Sequence, residues 1–220
     1  MVANTLTVGP GYWDDRARHD SGLHAVMTKR WTRDECAVVD RQMRAAITDA
    51  VRASHADPTI WLDLGCGTGR FLNLPFTIGA PVTGVLGVDS SHEMCRRAAR
   101  AHADNPRVRV VQATGSALPV ADATVTAGLI VAVLQHLDAT TLRRTAAEVS
   151  RVLAPGGTVV MVEGTRESLG GAAPAGTTAT SFYRIDDFQA AFGSGLSLTL
   201  RVPVTFIEDR YTCLVWKRLP

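Results

Sequence analysis

The sequence predicts an α/β domain built on a mostly parallel sheet with helices on both of its faces. Apolar runs alternate along the 220 residues with segments of helical periodicity, which is the order that such a sheet requires. The run over residues 59–64 leads through Asp63 into three glycines at alternate positions, and the run over 83–89 closes on Asp89. A polar or glycine-rich end after a buried strand is typical of a ligand-binding edge. The length fits one domain, with residues 1–57 as a helical cap and 58–220 as the core.

The predicted elements follow in order. Thr32 and Glu35 fit a capping box that opens a helix running to about residue 54. A short helix and an irregular connection should follow the glycines, and Ser90 with Glu93 fits a second capping box. Further helices are expected over residues 138–153 and 186–192. The predicted strands are residues 59–64, 83–89, 108–113, 124–131, 158–163, 196–204 and 210–217.

The last two strands should form a hairpin, which makes the end of the sheet antiparallel. The stretch over residues 164–180, rich in Gly, Ala and Thr, is expected to be a mobile loop.

Composition narrows the functional classes. A formal charge of +2 is too small for a nucleic-acid or anionic-membrane surface, and no apolar run is long enough to span a bilayer. The N-terminus lacks the pattern of a secretory signal. The four cysteines stand far apart, which favours neither disulfides nor zinc. We therefore expect a cytoplasmic protein, a monomer or homodimer, without nucleic-acid or membrane partners and without a metal.

The glycine turn indicates a ligand that lies directly against the main chain. Glycine permits positive φ, and the amides of such a turn suit an anionic or electron-rich group. The spacing is G-x-G-x-G over residues 65–69, whereas a nicotinamide fingerprint has G-x-G-x-x-G. Asp89 can accept two hydrogen bonds from a ribose diol, as an acid at this place does in dinucleotide folds. The alternatives for Asp89 are a helix N-cap and a surface salt bridge.

Asp-Leu-Gly-Cys-Gly-Thr-Gly over residues 63–69 resembles the first motif of the class I S-adenosylmethionine-dependent methyltransferases. Residues 88–94 and 112–122 are similar to the second and third motifs of that family, and residues 133–137 and 151–157 to its later segments. The likeness spans about residues 59–163 in the family's order. It implies a Rossmann-like, seven-stranded sheet and S-adenosylmethionine as the cofactor.

By this resemblance, the cofactor contacts are Asp63, Gly65, Cys66, Gly67, Asp89, Ser90, Met94, Gly115, Ser116 and Ala117. Residues 12–17 look like the family's amino-terminal cap, in which Tyr12 and Arg16 would lie over the cofactor, Arg16 reaching the methionine carboxylate. Two departures are present. Gly115-Ser116-Ala117 stands where the family usually has Gly-Asp-Ala, which costs one charged acceptor, and residues 125–127 lack the usual Phe-Asp. Met94 is equally consistent with core packing.

The implied reaction is an in-line displacement on the sulfonium methyl group. His136, just beyond the fourth strand, is the first candidate for a general base, with a helix cap or packed side chain as its alternative. Glu163, at the end of the fifth strand, is the second candidate, or else a loop anchor. Trp13, Trp31 and His19 are candidate substrate contacts. Tyr12, Trp13 and Trp31 would form an aromatic lid, or pack as ordinary apolar side chains. His24 is a weaker candidate base.

Motifs that the sequence lacks narrow the range of possible methyl acceptors. No Asn/Asp-Pro-Pro-Tyr/Phe follows the fourth strand, which disfavours methylation of base amino groups, and the sequence shows no metal-ligand pattern. A small molecule remains, with secondary metabolites as one candidate class. The competing hypotheses are a nicotinamide-dependent oxidoreductase and a protein that binds S-adenosylmethionine without transferring its methyl group.

Overall fold

The computed structural model describes residues 9–54, 58–168 and 181–219, and this part of the chain holds a seven-stranded sheet. The strands are β1 Ile60–Leu64, β2 Gly84–Asp89, β3 Val108–Gln112, β4 Val125–Val131, β5 Leu153–Glu163, β6 Leu196–Phe206 and β7 Asp209–Arg218. The helices are α1 Pro10–His19, α2 Arg33–Ala53, α3 Leu74–Thr77, α4 His92–Ala101, α5 Ala139–Val152 and α6 Ile185–Phe192, with 3₁₀ turns at Gly22–Ala25 and Leu134–His136.

The strand order in the sheet is β3-β2-β1-β4-β5-β7-β6. Strands β1 to β5 are mutually parallel, and β7 runs antiparallel between β5 and β6. This confirms the predicted fold class, including the antiparallel end. Because the strand order reverses between β1 and β4, the edge at the carboxyl ends of these strands opens into a crevice, the usual ligand position in such sheets.

Two apolar clusters cover the two faces of the sheet. Trp61 belongs to the cluster that includes the buried face of α2, whereas its neighbour Leu62 belongs to the cluster of α5 and α6. Successive strand residues point to opposite faces, so the near-continuous apolar runs of β1 and β4 are needed for both. The sheet is thereby fixed from both sides, which holds its strand ends in place.

The predicted cap of α2 is confirmed: Thr32 Oγ1 accepts from the N–H of Glu35 at 3.2 Å, and the Glu35 carboxylate accepts from the N–H of Thr32 at 2.7 Å. The N-cap of α4 lies one residue later than the sequence predicts. Ser91, not Ser90, accepts from the N–H of Met94, at 3.1 Å. The hydrogen bond from the N–H of Ser91 to Asp89 fixes the turn in this register.

Strand β5 begins five residues before its predicted start, because Leu153 pairs with Val125 directly after α5, ahead of a register shift. The expected mobile loop over residues 164–180 falls largely outside the described residues, which resume at 181. No helix in the described ranges combines the length and apolarity needed to cross a bilayer.

Candidate active site

The glycine turn after β1 depends on backbone conformations that other residues rarely adopt. Gly65, Gly67 and Gly69 have φ values of +71°, +54° and +84°. The N–H groups of Gly65 and Cys66 donate to the carbonyl of Val88 at 2.7 and 3.1 Å, which ties the turn to β2. The turn therefore lies across the tips of both strands, at the edge of the crevice.

Asp89 joins the two strand tips through its carboxylate. Oδ2 accepts from the N–H of Gly67 at 2.9 Å, and Oδ1 accepts from the N–H of Ser91 at 2.9 Å. Burial raises the pKa of Asp89, and the hydrogen bonds from Ser91 and Gly67 act against that increase. A carboxylate offers about four acceptor positions, so lone pairs remain for a ligand.

Asp63 places a second carboxylate at the same edge. The residue is 2% exposed, and its Oδ2 has no hydrogen-bond partner among the described residues. Burial raises the pKa of Asp63 to about 7, the nearby positive charge of Arg70 opposes this, and Asp89 adds to it. A buried carboxylate oxygen without a partner is costly, and it is satisfied when a ligand presents a donor or a positive charge.

These groups open into one cavity of about 920 Å³. It runs from the glycine turn past the tips of β2 and β4, under α1 and the segment that follows it, to the start of β7. Small-molecule sites commonly enclose about 300–1,000 Å³, so this cavity is large enough for a nucleoside cofactor together with a second small molecule.

The cavity brings together most of the residues that the sequence singles out. From the N-terminal segment and the turn after β4 they are Tyr12, Trp13, Arg16, Trp31 and His136. From the tips of β1 and β2 and the start of α4 they are Asp63, Gly65, Cys66, Gly67, Asp89, Ser90 and Met94, and from the segment after β3 they are Gly115 and Ser116. Met94 is 1% exposed and packs with Ala17 and Ala25, so it serves the core and the cavity wall together.

Glu163 does not line the cavity, contrary to its prediction as a candidate base. The side chain is fully buried, and its Oε1 accepts from the N–H groups of Val133 and Leu134 at 2.8 and 3.0 Å. Burial raises its pKa to about 7 against these hydrogen bonds. Glu163 therefore anchors the turn after β4, next to Ala132, which has a φ of +54°. This is the loop-anchor alternative.

Ala117 and His19 also lie elsewhere than predicted. The N–H of Ala117 donates to the carbonyl of Thr114 at 3.1 Å within a turn, and Ala117 is not part of the cavity wall. His19 is exposed, with its Nδ1 at 2.9 Å from the carbonyl oxygen of Asp15. His24 is outside the cavity wall as well, with its Nε2 at 2.8 Å from the carbonyl oxygen of Trp31.

Arg16 lines the cavity but points its donors into the protein. Nη2 donates to the carbonyls of His24 and Met27, and Nε lies 2.7 Å from a carboxylate oxygen of Asp20. Val26, one of the two residues between His24 and Met27, packs on the glycine turn: a Cβ on Gly67 would come 2.7 Å from Val26 Cγ1. Arg16 thus braces the N-terminal segment against the turn, and its remaining nitrogen, Nη1, donates to the hydroxyl of Tyr12 at 3.2 Å.

His136 ends the 3₁₀ turn after β4 and lies on the cavity wall. The indole of Trp13 packs edge-on against its imidazole, with ring centroids 5.2 Å apart and planes at 74°. Tyr12 in turn packs edge-on against Trp13, with centroids 5.1 Å apart. Helix α1 therefore covers the turn that carries His136, and the contact orients the imidazole at the rim of the cavity.

Sequence reasoning missed much of the cavity wall, including Arg70, Tyr211 and Thr145. Arg70 follows the last glycine and brings a buried positive charge. Tyr211 lies at the start of β7, where burial raises its pKa to about 12. Thr145, on the buried face of α5, has a hydroxyl without a partner among the described residues, beside Gly115. Only Arg70 carried a signal, since it directly extends the glycine motif.

The described residues hold no group of three or more His, Cys, Asp or Glu side chains arranged to bind a metal ion. All four cysteines are buried free thiols. Burial raises the pKa of Cys66, and the negative charges of Asp63 and Asp89 raise it further, so this thiol is protonated at neutral pH.

Comparisons with known proteins agree with this geometry. The sequence model of the family described as "Methyltransferase domain" matches residues 62–161. An uncharacterised 37.1 kDa protein in transposon TN4556 of Streptomyces fradiae is 35% identical over 138 residues. That match covers 62% of this chain and 39% of the Streptomyces protein, so the chain spans less than two thirds of this relative's length.

Solved structures share the fold at low sequence identity. The N-methyltransferase NodS from Bradyrhizobium japonicum, in complex with S-adenosylhomocysteine, has a TM-score of 0.70 at 14% identity, covering 94% of this chain and 97% of NodS. A putative methyltransferase from Haloferax volcanii, in complex with the activator Trm112, has a TM-score of 0.73 at 17% identity, covering 94% and 98%. Residues 62–161, a little under half of the chain, therefore match the model of a methyltransferase domain, and the whole sheet shares its fold with these solved structures.

Proposed function

We propose that this protein transfers the methyl group of S-adenosylmethionine to a small-molecule acceptor. The observation that carries the proposal is the Asp89 carboxylate, which bridges Gly67 and Ser91 at the edge of a cavity beside a glycine turn. The residues present fit the cofactor. Asp89 retains acceptor capacity for a ribose diol, and the unpartnered Asp63 oxygen suits the ammonium group of the methionine end.

The adenine would lie against Met94 and the segment after β3. Gly115 approaches α5 closely, since a Cβ there would come 2.9 Å from Thr145 Cγ2. Ser116 lies on the cavity wall where the family usually has an acid, with its hydroxyl 3.3 Å from that of Thr114. Both hydroxyls can accept or donate hydrogen bonds, so they supply neutral partners for the adenine edge in place of the carboxylate.

The bound cofactor supplies an electrophilic methyl group on a sulfonium sulfur. The chain's part is to orient the acceptor in line with that bond and to exclude water. Aligning two reactants is worth on the order of 7–11 kcal/mol of barrier, so no protein nucleophile is required. Trp13 and Tyr12 wall the cavity from α1, and aromatic faces attract a positive charge.

His136 would accept a proton where the acceptor is a hydroxyl or a protonated amine. Such general-base assistance is typically worth ~10²–10⁴-fold. Its position at the rim, held against Trp13, supports this role. Glu163 holds the turn that presents His136, and therefore acts through position alone.

A small acceptor fits the enclosure. Helix α1 and the segment after it close the cavity from one side, and the start of β7 with Phe182 closes it from the other. A macromolecule would need an open groove, whereas this wall is more apolar than polar and includes the rings of Trp13, Trp31 and Phe182. We extend the proposal to the acceptors of secondary metabolism, consistent with the aromatic lining, and to an intracellular, cytoplasmic setting.

Calorimetry with purified protein tests the proposal. S-Adenosylhomocysteine should bind and NADH should not, and incubation of labelled S-adenosylmethionine with a panel of small phenols, amines and acids should label at least one of them. Binding of NADH alone would replace the proposal with an oxidoreductase. Cofactor binding without transfer to any acceptor across a broad panel would favour a binding protein.

A further inference from the structure

Arg70 lines the cavity with a guanidinium group whose N–H donors are only partly used within the described residues. Its side chain is 11% exposed, and Nη1 lies 3.2 Å from Oδ1 of Asp40. Nη2 reaches the sulfur of Met43 at 3.5 Å, and the guanidinium carbon lies 4.2 Å from the centroid of the Phe71 ring. One carboxylate oxygen, one thioether and one aromatic face therefore hold a group with five N–H donors.

The carboxylate of Asp40 forms ion pairs with both Arg70 and Arg44. Asp40 Oδ2 lies 2.7 Å from Nε of Arg44, and Arg44 Nη2 donates to the carbonyl of Arg70. Two guanidinium groups thus share one carboxylate beside the cavity, so Asp40 leaves part of the donor capacity of Arg70 unused. Buried N–H donors without acceptors are costly, so this part of the wall suits an anionic group that can accept from the remaining donors of Arg70.

Asp63 provides the opposite charge across the same part of the cavity. Its Oδ2 is buried without a partner in the described part of the chain, and its pKa responds to the charge of Arg70. No Asp63–Arg70 ion pair is formed within the described residues, so Oδ2 of Asp63 and the Arg70 donors that Asp40 does not use remain available to a ligand. A group that carries an ammonium and a carboxylate on one carbon matches this arrangement.

We propose that Arg70 binds the carboxylate of the cofactor's methionine end while Asp63 receives its ammonium group. This rests on the proposed function. It takes the place of Arg16 as the carboxylate-binding residue, because the donors of Arg16 are engaged with the carbonyls of His24 and Met27, the carboxylate of Asp20 and the hydroxyl of Tyr12. Arg70 is thereby a binding residue that sets selectivity for a cofactor with an intact α-amino acid end.

The test compares S-adenosylhomocysteine with 5′-deoxy-5′-methylthioadenosine, a thioether of adenosine that lacks the amino-acid end. Wild-type protein should bind S-adenosylhomocysteine more tightly. Arg70→Met should weaken its binding by about 10- to 100-fold, the loss expected for charge-assisted hydrogen bonds, and should leave methylthioadenosine binding unchanged. Arg107→Met is the matched control, because Arg107 also stacks on a phenylalanine, Phe76 at 4.3 Å, but lies outside the cavity wall.

Each outcome of the binding comparison either supports the role of Arg70 or contradicts it. If Arg70→Met weakens the binding of both ligands equally, Arg70 shapes the site without contacting the carboxylate, which would contradict the proposal. Unchanged binding of S-adenosylhomocysteine would also overturn it. If Arg70→Met does not fold, Arg70→Lys replaces it, tested against decarboxylated S-adenosylhomocysteine. The preference of the wild type for the carboxylate-bearing ligand should then shrink severalfold, and an unchanged preference would contradict the assignment. If the wild type binds neither adenosine ligand, the proposed function itself fails.

Discussion

The carboxylate of Asp89 accepts a hydrogen bond from the backbone N–H of Gly67 at 2.9 Å. This contact joins the end of β2 to the glycine turn after β1, so the residue proposed to hold the ribose also fixes the backbone on which the cofactor's tail would lie. The second oxygen accepts from the N–H of Ser91, at the start of α4. Asp89 is therefore both a turn-forming residue and an acceptor at the cavity edge.

We expect Asp89→Asn to weaken binding of S-adenosylhomocysteine by about 10- to 100-fold. The substitution keeps the shape but removes the charge and half of the acceptor capacity, and a hydrogen bond to a charged group is worth ~1.5–3 kcal/mol. Calorimetry measures the affinity, and thermal unfolding confirms that the variant is folded. Asp104→Asn, an exposed position outside the cavity, serves as the control. Unchanged affinity in folded Asp89→Asn would remove the ribose assignment.

His136→Ala should slow methyl transfer by about 10²-fold or more with a hydroxyl acceptor and leave the affinity for S-adenosylhomocysteine unchanged. The reason is that His136 ends the turn after β4 and packs on Trp13, whereas the residues proposed to hold the cofactor lie at the tips of β1 and β2. Single-turnover transfer from labelled cofactor is the measurement. His19→Ala, an exposed histidine outside the cavity wall, should behave as wild type. Full turnover by His136→Ala would assign the imidazole to packing alone.

Affinity for S-adenosylhomocysteine should fall as the pH is lowered through about 7. Without ligand the pKa of Asp63 is about 7, above its ordinary value, because the carboxyl is buried. The ligand's ammonium group favours the ionised carboxylate, so binding below pH 7 must release a proton and weakens by up to about tenfold per pH unit. Asp89 has a raised pKa too and Arg70 keeps its charge, so Asp63→Asn is needed to isolate the contribution of Asp63.

Calorimetry from pH 5.5 to 8 in two buffers of different ionisation enthalpy would show both the affinity change and the released proton. In Asp63→Asn the profile should be flatter and the affinity at pH 8 lower. Equal wild-type affinity at pH 6 and pH 8 would be incompatible with an ionised Asp63 in the complex.

Glu163 should make the folded state less stable as pH rises from about 4.5 to about 7. Its folded pKa is about 7, above its ordinary value, so the folded state retains a proton that the unfolded state has lost. The free energy of unfolding contributed by this group is complete below pH 4.5 and is lost by pH 7, at up to ~1.4 kcal/mol per pH unit. Asp63 acts in the same direction.

Glu163→Gln isolates the effect, because its amide oxygen can still accept from Val133 and Leu134 but the side chain cannot ionise. Urea unfolding between pH 4.5 and 7.5 should show a shallower decline for this variant than for the wild type. Glu208→Gln, at an exposed position, should keep the wild-type slope. Identical slopes for Glu163→Gln and wild type would mean that Glu163 is ionised in the fold at every pH tested.

The fold could be predicted from the sequence because each pattern that indicates a strand, turn or helix lies within a short stretch of the chain. Strand β1 followed by alternating glycines, and β2 ending on Asp89, required a parallel edge, and the structure places the two tips side by side. The hairpin predicted around Glu208 implied an antiparallel end of the sheet, and the structure confirms it. The cap of α4 was off by one residue, since Ser90 and Ser91 offer the same hydroxyl and only the Asp89 contact selects between them.

The site was harder to predict, because which way a side chain points depends on packing between distant segments. Glu163 closes its strand as Asp89 does, yet it turns into the protein to hold the turn after β4. Arg16 is drawn inward by carbonyls eight and eleven residues along the chain. Tyr211 enters the cavity only through the order of β5 and β7 in the sheet, which no local pattern specifies.

A crystal structure of the protein grown with S-adenosylhomocysteine would test the central claim most directly. The account predicts that the ribose hydroxyls lie within about 3.2 Å of the Asp89 carboxylate and that the thioether chain crosses Gly65 and Gly67. A nucleoside bound elsewhere, or crystals in which this cavity excludes the ligand at saturating concentration, would contradict it.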